Sequence, residues 1–358
     1  MSKPFIDVAA GLILQKDGSL LLAERPADKP WPGWWELPGG KIEPGETVQQ
    51  ALARELKEEL DIDVSVSTPW VTYVHEYPKN IVRLAFCQVT EWQGEPKAIE
   101  GQTLAWVNPR KTLPVGPLLP ATLPPLRWLQ LPDRYLVTSI GGQKNLPAFL
   151  EKLAQALRAG IELVQFREPD WAAAAPEAEI HQAFQSVLAC CHEFGARCLL
   201  NSVHPESWRP LADGVHWRAQ DALRQASAMQ SQAAAQQGAA THGNAGDNPP
   251  ASAAQAPAPD AHLLPRRLTG VSAHTLQELD AARALDADFV VLGHVLETAS
   301  HPGQPGMGWE QFAALAEKSG MPVFAIGGQS AATLQTARQH GAHGIAGMRA
   351  LLEAAEAR

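Results

Sequence analysis

Three glutamates, Glu55, Glu58 and Glu59, stand at i, i+3 and i+4 inside the run GGKIEPGETVQQALARELKEEL, residues 39–60. On a helix, that spacing turns all three carboxylates to one face. Like charges so close repel one another and are costly to strip of water unless a cation joins them. Carboxylates with open coordination suit hard divalent cations, so the residue types predict a centre for Mg²⁺ or Mn²⁺.

A helix must position them. Thr47 can cap it after a Pro-Gly turn that no helix crosses, and Val48, Ala51, Leu52, Leu56 and Leu60 form an apolar stripe at helical spacing. At roughly 100° per residue the acidic face overlaps the edge of this stripe. Glu55 and Glu59 point nearly the same way as Val48. An ordinary amphipathic helix would keep its glutamates opposite the stripe, in water, so the overlap favours the metal reading.

The chain has 358 residues and a net charge of −9. The length predicts two domains, placed at residues 1–130 and 131–358. The acidic balance argues against a phosphate-backbone binder, so no direct nucleic-acid partner is expected. Cys87, Cys190, Cys191 and Cys198 form no CxxC pair, and no signal peptide precedes them. A reduced, cytoplasmic protein is the expectation. No apolar run approaches the roughly 18 residues of a membrane span.

In the first half, DVAAGLIL, SLLLAER and VRLAFCQVTEW read as strands, which with the glutamate helix predict a mixed sheet between helices. A proline-rich stretch, NPRKTLPVGPLLPATLPPL, ends this half. Eight short strands then alternate with Ala/Leu-rich helices: RYLVT, IELVQFR, ARCLLN, GVHW, LTGVS, DFVVLGHV, PVFAIGG and GIAGM. Eightfold strand-helix alternation predicts a (β/α)₈ barrel. Gln165, Arg167, Asn201, His216, Ser272, His294, Gly327 and Gly328 fall at the strand C-terminal ends, where such barrels build their sites. From about Arg224 to Pro259 the sequence is Ala/Gln/Pro/Gly low complexity, read as a disordered insertion.

The glutamate run resembles the Nudix box, G-x5-E-x7-R-E-U-x-E-E-x-G-U. Gly40, Glu46, Arg54, Glu55, Leu56, Glu58, Glu59 and Ile62 fill it in register, and Asp61 stands where the family has Gly. The words AERPAD, WELPGGKIEPGET, EWQGEP and EGQTLAW make the half similar to the bacterial 8-oxo-dGTP diphosphatases. The resemblance implies an α/β/α sandwich and Mg²⁺-dependent hydrolysis of a nucleoside triphosphate to monophosphate and pyrophosphate. That activity cleanses the nucleotide pool in support of DNA replication and repair. It also implies Glu58 and Glu59 as principal metal ligands, with Glu55, Glu100 and the Gly39 carbonyl, and Glu55 as the residue that orients or deprotonates water. Arg54 and Glu46 would tie loop to helix, and Arg25 would contact the nucleotide. The relatives read the damaged purine with an Asn where this chain has Thr122. A hydroxyl supplies half of what an amide does, which predicts blunted base selectivity.

The second half resembles the thiamine phosphate synthases and thiazole tautomerases, which implies a thiazole phosphate or thiamine-related ligand. The synthase motif Q-x-R-x-K appears as Gln165-Phe166-Arg167-Glu168-Pro169, without its lysine, and N-D appears as Asn201-Ser202, without a Mg²⁺ ligand. A second acidic ligand survives as Asp221, and His301 lies near where another lysine would follow Thr298. These losses argue against thiamine phosphate synthesis. GHVLET matches the tautomerase phrase whose His is catalytic, so His294 is the candidate there; a packed strand-end histidine is the equal alternative. Three readings therefore stand: a nucleotide-pool hydrolase fused to a thiamine-type barrel, a thiamine-pathway bifunctional enzyme, or a hydrolase whose barrel is a ligand sensor.

Overall fold

The computed structural model describes residues 3–240, 267–298 and 303–353. The first half holds two sheets where the sequence pattern suggested one. β1 (Phe5–Ile13), β4 (Gly39–Lys41), β5 (Asp63–Glu76) and β6 (Ile81–Gln93) form a mixed sheet in the order β4-β1-β6-β5, with β1 parallel to β6. β2 (Leu20–Glu24), β3 (Trp35–Glu36) and β7 (Leu104–Val107) form a separate antiparallel sheet, β3-β2-β7. The edge strand β5 had no clear signal. Pro69 interrupts it and its pairing with β6 slips at three places, so its alternation is broken.

Helix α1 (Val48–Leu60) carries the glutamates. Thr47 Oγ1 accepts from Gln50 N–H and Gln50 Oε1 accepts from Thr47 N–H, a closed capping box. Ala51, Leu52, Leu56 and Leu60 are buried against Ala9, Ile13, Leu21, Cys87 and Val89. At the C-cap, Asp61 takes the left-handed conformation, φ 55°, that its family position reserves for Gly. Lys57 and Lys97 hold its carboxylate at 2.9 and 3.0 Å, which offsets part of the strain. On the opposite face of the mixed sheet, α2 (Leu123–Trp128) closes a core of Trp35, Leu37, Trp70, Phe86, Val107 and Leu126.

The second half is a closed barrel of eight parallel strands: β8 (Arg134–Val137), β9 (Leu163–Phe166), β10 (Arg197–Asn201), β11 (Gly214–Trp217), β12 (Leu268–Ala273), β13 (Phe289–Leu292), β14 (Val323–Ile326) and β15 (Gly344–Gly347). The eight strands expected from the sequence are these eight. Tyr135, Leu163, Leu199, Phe289 and Phe324 fill the barrel interior. Around it run α3 (Leu146–Arg158), α4 (Pro169–Ala174), α5 (Glu177–Glu193), α6 (Ala219–Ala240), α7 (Leu276–Ala284), α8 (Gly308–Ala316), α9 (Leu334–Gln339) and α10 (Arg349–Glu353).

Helix α6 corrects the expected start of the insertion. The stretch from Arg224 is helical to Ala240, and Ala222 and Ala226 are buried in the barrel's outer core. Alanine and glutamine favour helix strongly, so low complexity here lowers information content without breaking the element. The remainder of the expected insertion, residues 241–259, lies outside the described residues, as does His301.

The halves meet through buried and charged contacts. Trp70 of β5 donates from Nε1 to His343 Nδ1 at 3.2 Å, and His343 Nε2 donates to Leu131 O at 3.0 Å. Arg127 pairs with the buried Asp288, and Arg110 reaches Glu162 at 3.2 Å. Among the described residues no helix is long and apolar enough to cross a membrane.

Candidate functional sites

A cavity of about 1150 Å³ opens between α1, β4 and the loops after β2, β5 and β7. Arg25, Gly39, Glu55, Glu58, Glu59, Glu100 and Thr122 all line it. Residues nearly a hundred positions apart thus share one space. The Glu55 and Glu59 side chains are only 16% and 17% exposed, whereas Glu58 is 59% exposed. The overlap of acidic face and apolar stripe therefore buries two of the three carboxylates.

Backbone geometry lets them sit there. A Cβ on Gly40 would stand 2.2 Å from the Glu55 carboxylate, and one on Gly39 would stand 2.2 Å from Ala9 O. Gly39 also has φ 140°, so both glycines are required by close approach. The Gly39 N–H donates to Glu59 Oε2 at 3.1 Å. Burial pushes Glu59 up to about 7, against the pull of that N–H and of Lys29.

Arg54 ties the box together. Its Nε and Nη2 grip Glu46 at 2.8 and 2.9 Å, and Nη2 also donates to Lys41 O at 3.0 Å. Nη1 reaches Glu55 at 2.9 Å and Glu58 at 3.4 Å. The fork holds Glu46 down at about 2. Arg25 is engaged internally, with Nη1 on both Glu36 oxygens at 2.6 and 2.5 Å and Nε on Pro30 O.

Two cavity residues escaped sequence reasoning. Lys29 pairs with Glu100 and stands 3.9 Å from Glu59 Oε1, an internal cation set between two expected ligands. Glu36, paired with Arg25, is a further, half-buried carboxylate whose pKa burial raises. Nothing in their spacing from the box could have found them; only the folded loop brings them in. Among the described residues no three acidic, His or Cys donors converge as an ion cage as they stand. Glu55 and Glu58 face Arg54, Glu100 pairs with Lys29, and Glu59 accepts from the Gly39 N–H. The donor set itself, four carboxylates and a main-chain carbonyl around one buried and disfavoured charge, fits a hard divalent cation.

Thr122 lines the same cavity, buried, in the 3₁₀ turn Pro120–Thr122, and Tyr77, Asn80, Phe86 and Leu119 also line it. The exposed Trp31 stands at the rim in a left-handed conformation, φ 64°. A flat apolar group can be held here and a polar tail can reach the carboxylates.

The second cavity, about 1220 Å³, lies at the C-terminal end of the barrel strands. Gln165, Arg167, Asn201, His216, Ser272, His294, Gly327 and Gly328 line it together. Its floor is a chain of neutral groups. Asn201 Nδ2 donates to Gln165 Oε1 at 2.6 Å, Gln165 Nε2 to Tyr135 OH at 3.1 Å, and Tyr135 OH meets His216 Nδ1 at 3.2 Å. His216 Nε2 then meets Ser272 Oγ at 2.9 Å. Burial, helped by the Arg167 charge, pushes His216 down to about 3, so its imidazole is neutral. Gly327 packs directly on His294: a Cβ there would meet His294 Cβ at 2.6 Å. Glu168 is buried, and its carboxylate accepts from Ile140 and Gly141 N–H at 2.9 and 3.0 Å. It holds a loop rather than facing the cavity.

With this geometry in hand, known proteins divide along the same line. The NUDIX domain family matches residues 4–129, and the thiamine monophosphate synthase family matches residues 134–260 and 247–351. The 8-oxo-dGTP diphosphatase of Proteus vulgaris is 44% identical over 95 residues, covering 26% of this chain and 85% of the relative. The CTP pyrophosphohydrolase of Escherichia coli K12 is 41% identical over 119 residues, covering 33% of this chain and 87% of the relative. The thiamine-phosphate synthase of Thermosynechococcus vestitus is 29% identical over 232 residues, covering 64% of this chain and 54% of the relative.

Proposed function

The chain belongs to the Nudix family through residues 4–129 and to the thiamine monophosphate synthase family through residues 134–351, and from that premise we propose that its first half hydrolyses nucleoside triphosphates of the 8-oxo-dGTP class to monophosphate and pyrophosphate. The observation that carries the reading is the pair of largely buried carboxylates, Glu55 and Glu59, set against Gly40 and Gly39 in a cavity that aromatic and apolar side chains also line. Bound by Glu55, Glu58, Glu59, Glu100 and the Gly39 carbonyl, Mg²⁺ or Mn²⁺ would supply phosphate polarisation and a more acidic water. Glu55 orients that water and takes its proton. Arg54 keeps Glu55 aimed while gripping Glu46. Arg25, fixed by Glu36, presents its charge to the nucleotide, and Thr122 offers its hydroxyl to the base edge.

Water adds across the anhydride between the α and β phosphates, so the products are a nucleoside monophosphate and pyrophosphate. The four free cysteines fit a reducing, cytoplasmic setting, which belongs to the same proposal. The test is pyrophosphate release by the purified protein with Mg²⁺ from 8-oxo-dGTP, CTP, the ordinary deoxynucleotides and thiamine diphosphate. Turnover of thiamine diphosphate alone would overturn the nucleotide reading.

A second reading concerns the barrel. Its cavity, with polar residues gathered at the strand ends and neutral His216 in the floor, supports binding of a small thiamine-pathway ligand such as a thiazole phosphate. His294, packed on Gly327 at the rim, is the residue on which tautomerase chemistry would depend.

A further inference from the structure

The surviving acidic residue of the barrel, Asp221, is not available to a metal ion. Arg218 Nε donates to its Oδ2 at 2.6 Å, and Ser202 Oγ donates to the same oxygen at 2.7 Å. Arg224 Nη1 stands 3.6 Å from its Oδ1. The Arg218 N–H in turn donates to Ser202 Oγ at 2.9 Å, so that hydroxyl is engaged as donor and acceptor. The Asp221 side chain is 12% exposed. Burial works against its charge, but Arg218 and Ser202 lower its pKa overall. A divalent cation at Asp221 would have to displace a guanidinium that cannot lose its proton, and would find a neutral hydroxyl where a second carboxylate is needed. The residues present therefore do not fit a metal ion at this position.

They supply positive charge in another form. Arg218 lines the barrel cavity, anchored through Nε to Asp221, and Arg167 lines the same side from the end of β9. Arg167 is exposed, and among the described residues its guanidinium has no ion pair. After burial, both arginines lower the nearby His204, to about 4, and Arg167 alone also lowers His216 in the floor. The cavity also has acidic lining residues, one of them, Asp170, three positions along the chain from Arg167. Glu278 caps the start of α7, Asp170 is in the first turn of α4, and Glu297 and Glu353 are on the β13 and α10 side. The floor between is neutral.

We propose that the barrel mouth binds the phosphate or pyrophosphate group of a small molecule through Arg167 and Arg218 without any divalent cation, Arg218 standing as a built-in positive charge on Asp221. Guanidinium forks match phosphate oxygens in geometry as well as charge. This rests on the reading of the barrel mouth as a ligand site and adds what that site requires.

The test is calorimetric titration of the full chain with inorganic pyrophosphate, in EDTA and then in Mg²⁺. Saturable binding in EDTA is expected, weakened about tenfold or more by Arg218→Gln and by Arg167→Gln. Because Arg167 is exposed and unpaired, its variant keeps the fold even if Arg218→Gln loosens α6. The double variant Ser202→Asp, Arg218→Gly, which frees Asp221 and adds a second carboxylate, should bind pyrophosphate only when Mg²⁺ is present. If wild type binds in Mg²⁺ but not in EDTA, and Arg167→Gln removes that binding, the ligand site stands and the metal-free inference falls. If neither arginine variant changes the affinity, the anion sits elsewhere and both fall.

Discussion

The two cavities face the same physical problem, holding a phosphate, from opposite starting points. The first gathers carboxylates, so it repels a phosphate until cations join it. The second carries its cations on arginines and has tied down its one central carboxylate, Asp221. Even in the first cavity the protein supplies some positive charge, through Arg54 on the box and Lys29 between Glu59 and Glu100. The difference lies in what those cations do. Arg54 and Lys29 pair with carboxylates that the proposed hydrolysis uses, whereas Arg218 pairs with Asp221, which the proposed anion site does not use. The two proposals, one site that needs a metal ion and one that does not, can be separated by experiments that remove either kind of cation.

The largest effect should follow from Glu58→Gln. The change is nearly isosteric and the residue is mostly exposed, so melting temperature should hold within a degree or two. Loss of a ligand charge should lower kcat for triphosphate hydrolysis by about a hundredfold or more, and leave pyrophosphate binding in the barrel untouched. Wild-type turnover at limiting Mg²⁺ would remove α1 from the active site.

The halves should also answer pH in opposite senses. Glu59 is raised from 4.5 to about 7 in the fold, so the native state binds the extra proton. Its contribution is full below pH 4.5 and is lost as pH rises through 7. His343, at the seam, is lowered from 6.5 to about 4, chiefly by burial. Its contribution is full above pH 6.5 and is lost as pH falls through 4. Each shift corresponds to up to about 3 kcal/mol. Calorimetric unfolding in EDTA should show Glu59→Gln flattening the alkaline side of the stability curve and His343→Gln the acid side. Identical curves for both variants would mean that neither group is buried as described.

Base selectivity comes next in size. Thr122 is buried in the lining of the first cavity, with one hydroxyl to offer. A lost good hydrogen bond at such a site is worth about 1–3 kcal/mol, or roughly ten- to a hundredfold in selectivity. Thr122→Asn should raise the preference for 8-oxo-dGTP over dGTP in kcat/KM, mainly through KM. An unchanged ratio would assign base reading to another polar residue of the lining, such as Asn80 or Tyr77.

How much of this could be read without coordinates depends on how local the information is. The α1 stripe and acidic face are set within the thirteen residues of the helix, with the cap one residue before it, and all are as the spacing implied. The eight barrel strands are short apolar runs with clear stops, and they close as expected. What escaped is long-range or irregular. β5 is broken by Pro69 and by slips in register. The second sheet forms because β2 chooses β7, more than eighty residues away, and not β1. Lys29 reaches Glu100 only through loop geometry, and a lone Lys in a loop carries no signal of what it will meet; Glu36 meets Arg25 through the pairing of β2 with β3, and Arg218 meets Asp221 three residues on. The low-complexity stretch misled in the other direction, since poor composition up to Ala240 is still good helix.

The smallest predicted effect probes the borrowed cation directly. Lys29 pairs with Glu100 and reaches toward Glu59, and its ammonium is held charged by both, against the cost of burial. A divalent ion that uses Glu59 and Glu100 must first displace it. The pair is partly exposed, so that displacement should cost no more than about 1 kcal/mol, or roughly fivefold in affinity. Lys29→Ala should therefore bind Mn²⁺ several-fold more tightly, measured by electron paramagnetic resonance of the free ion, and should reach half-maximal hydrolysis at correspondingly lower Mg²⁺. At saturating metal, kcat should be close to wild type. The two readouts together decide the role: tighter metal binding with unchanged kcat marks Lys29 as a competitor for the carboxylates. Unchanged metal binding with a raised KM for nucleotide would instead make it a phosphate contact, and the first cavity would then resemble the second more closely than its carboxylates imply.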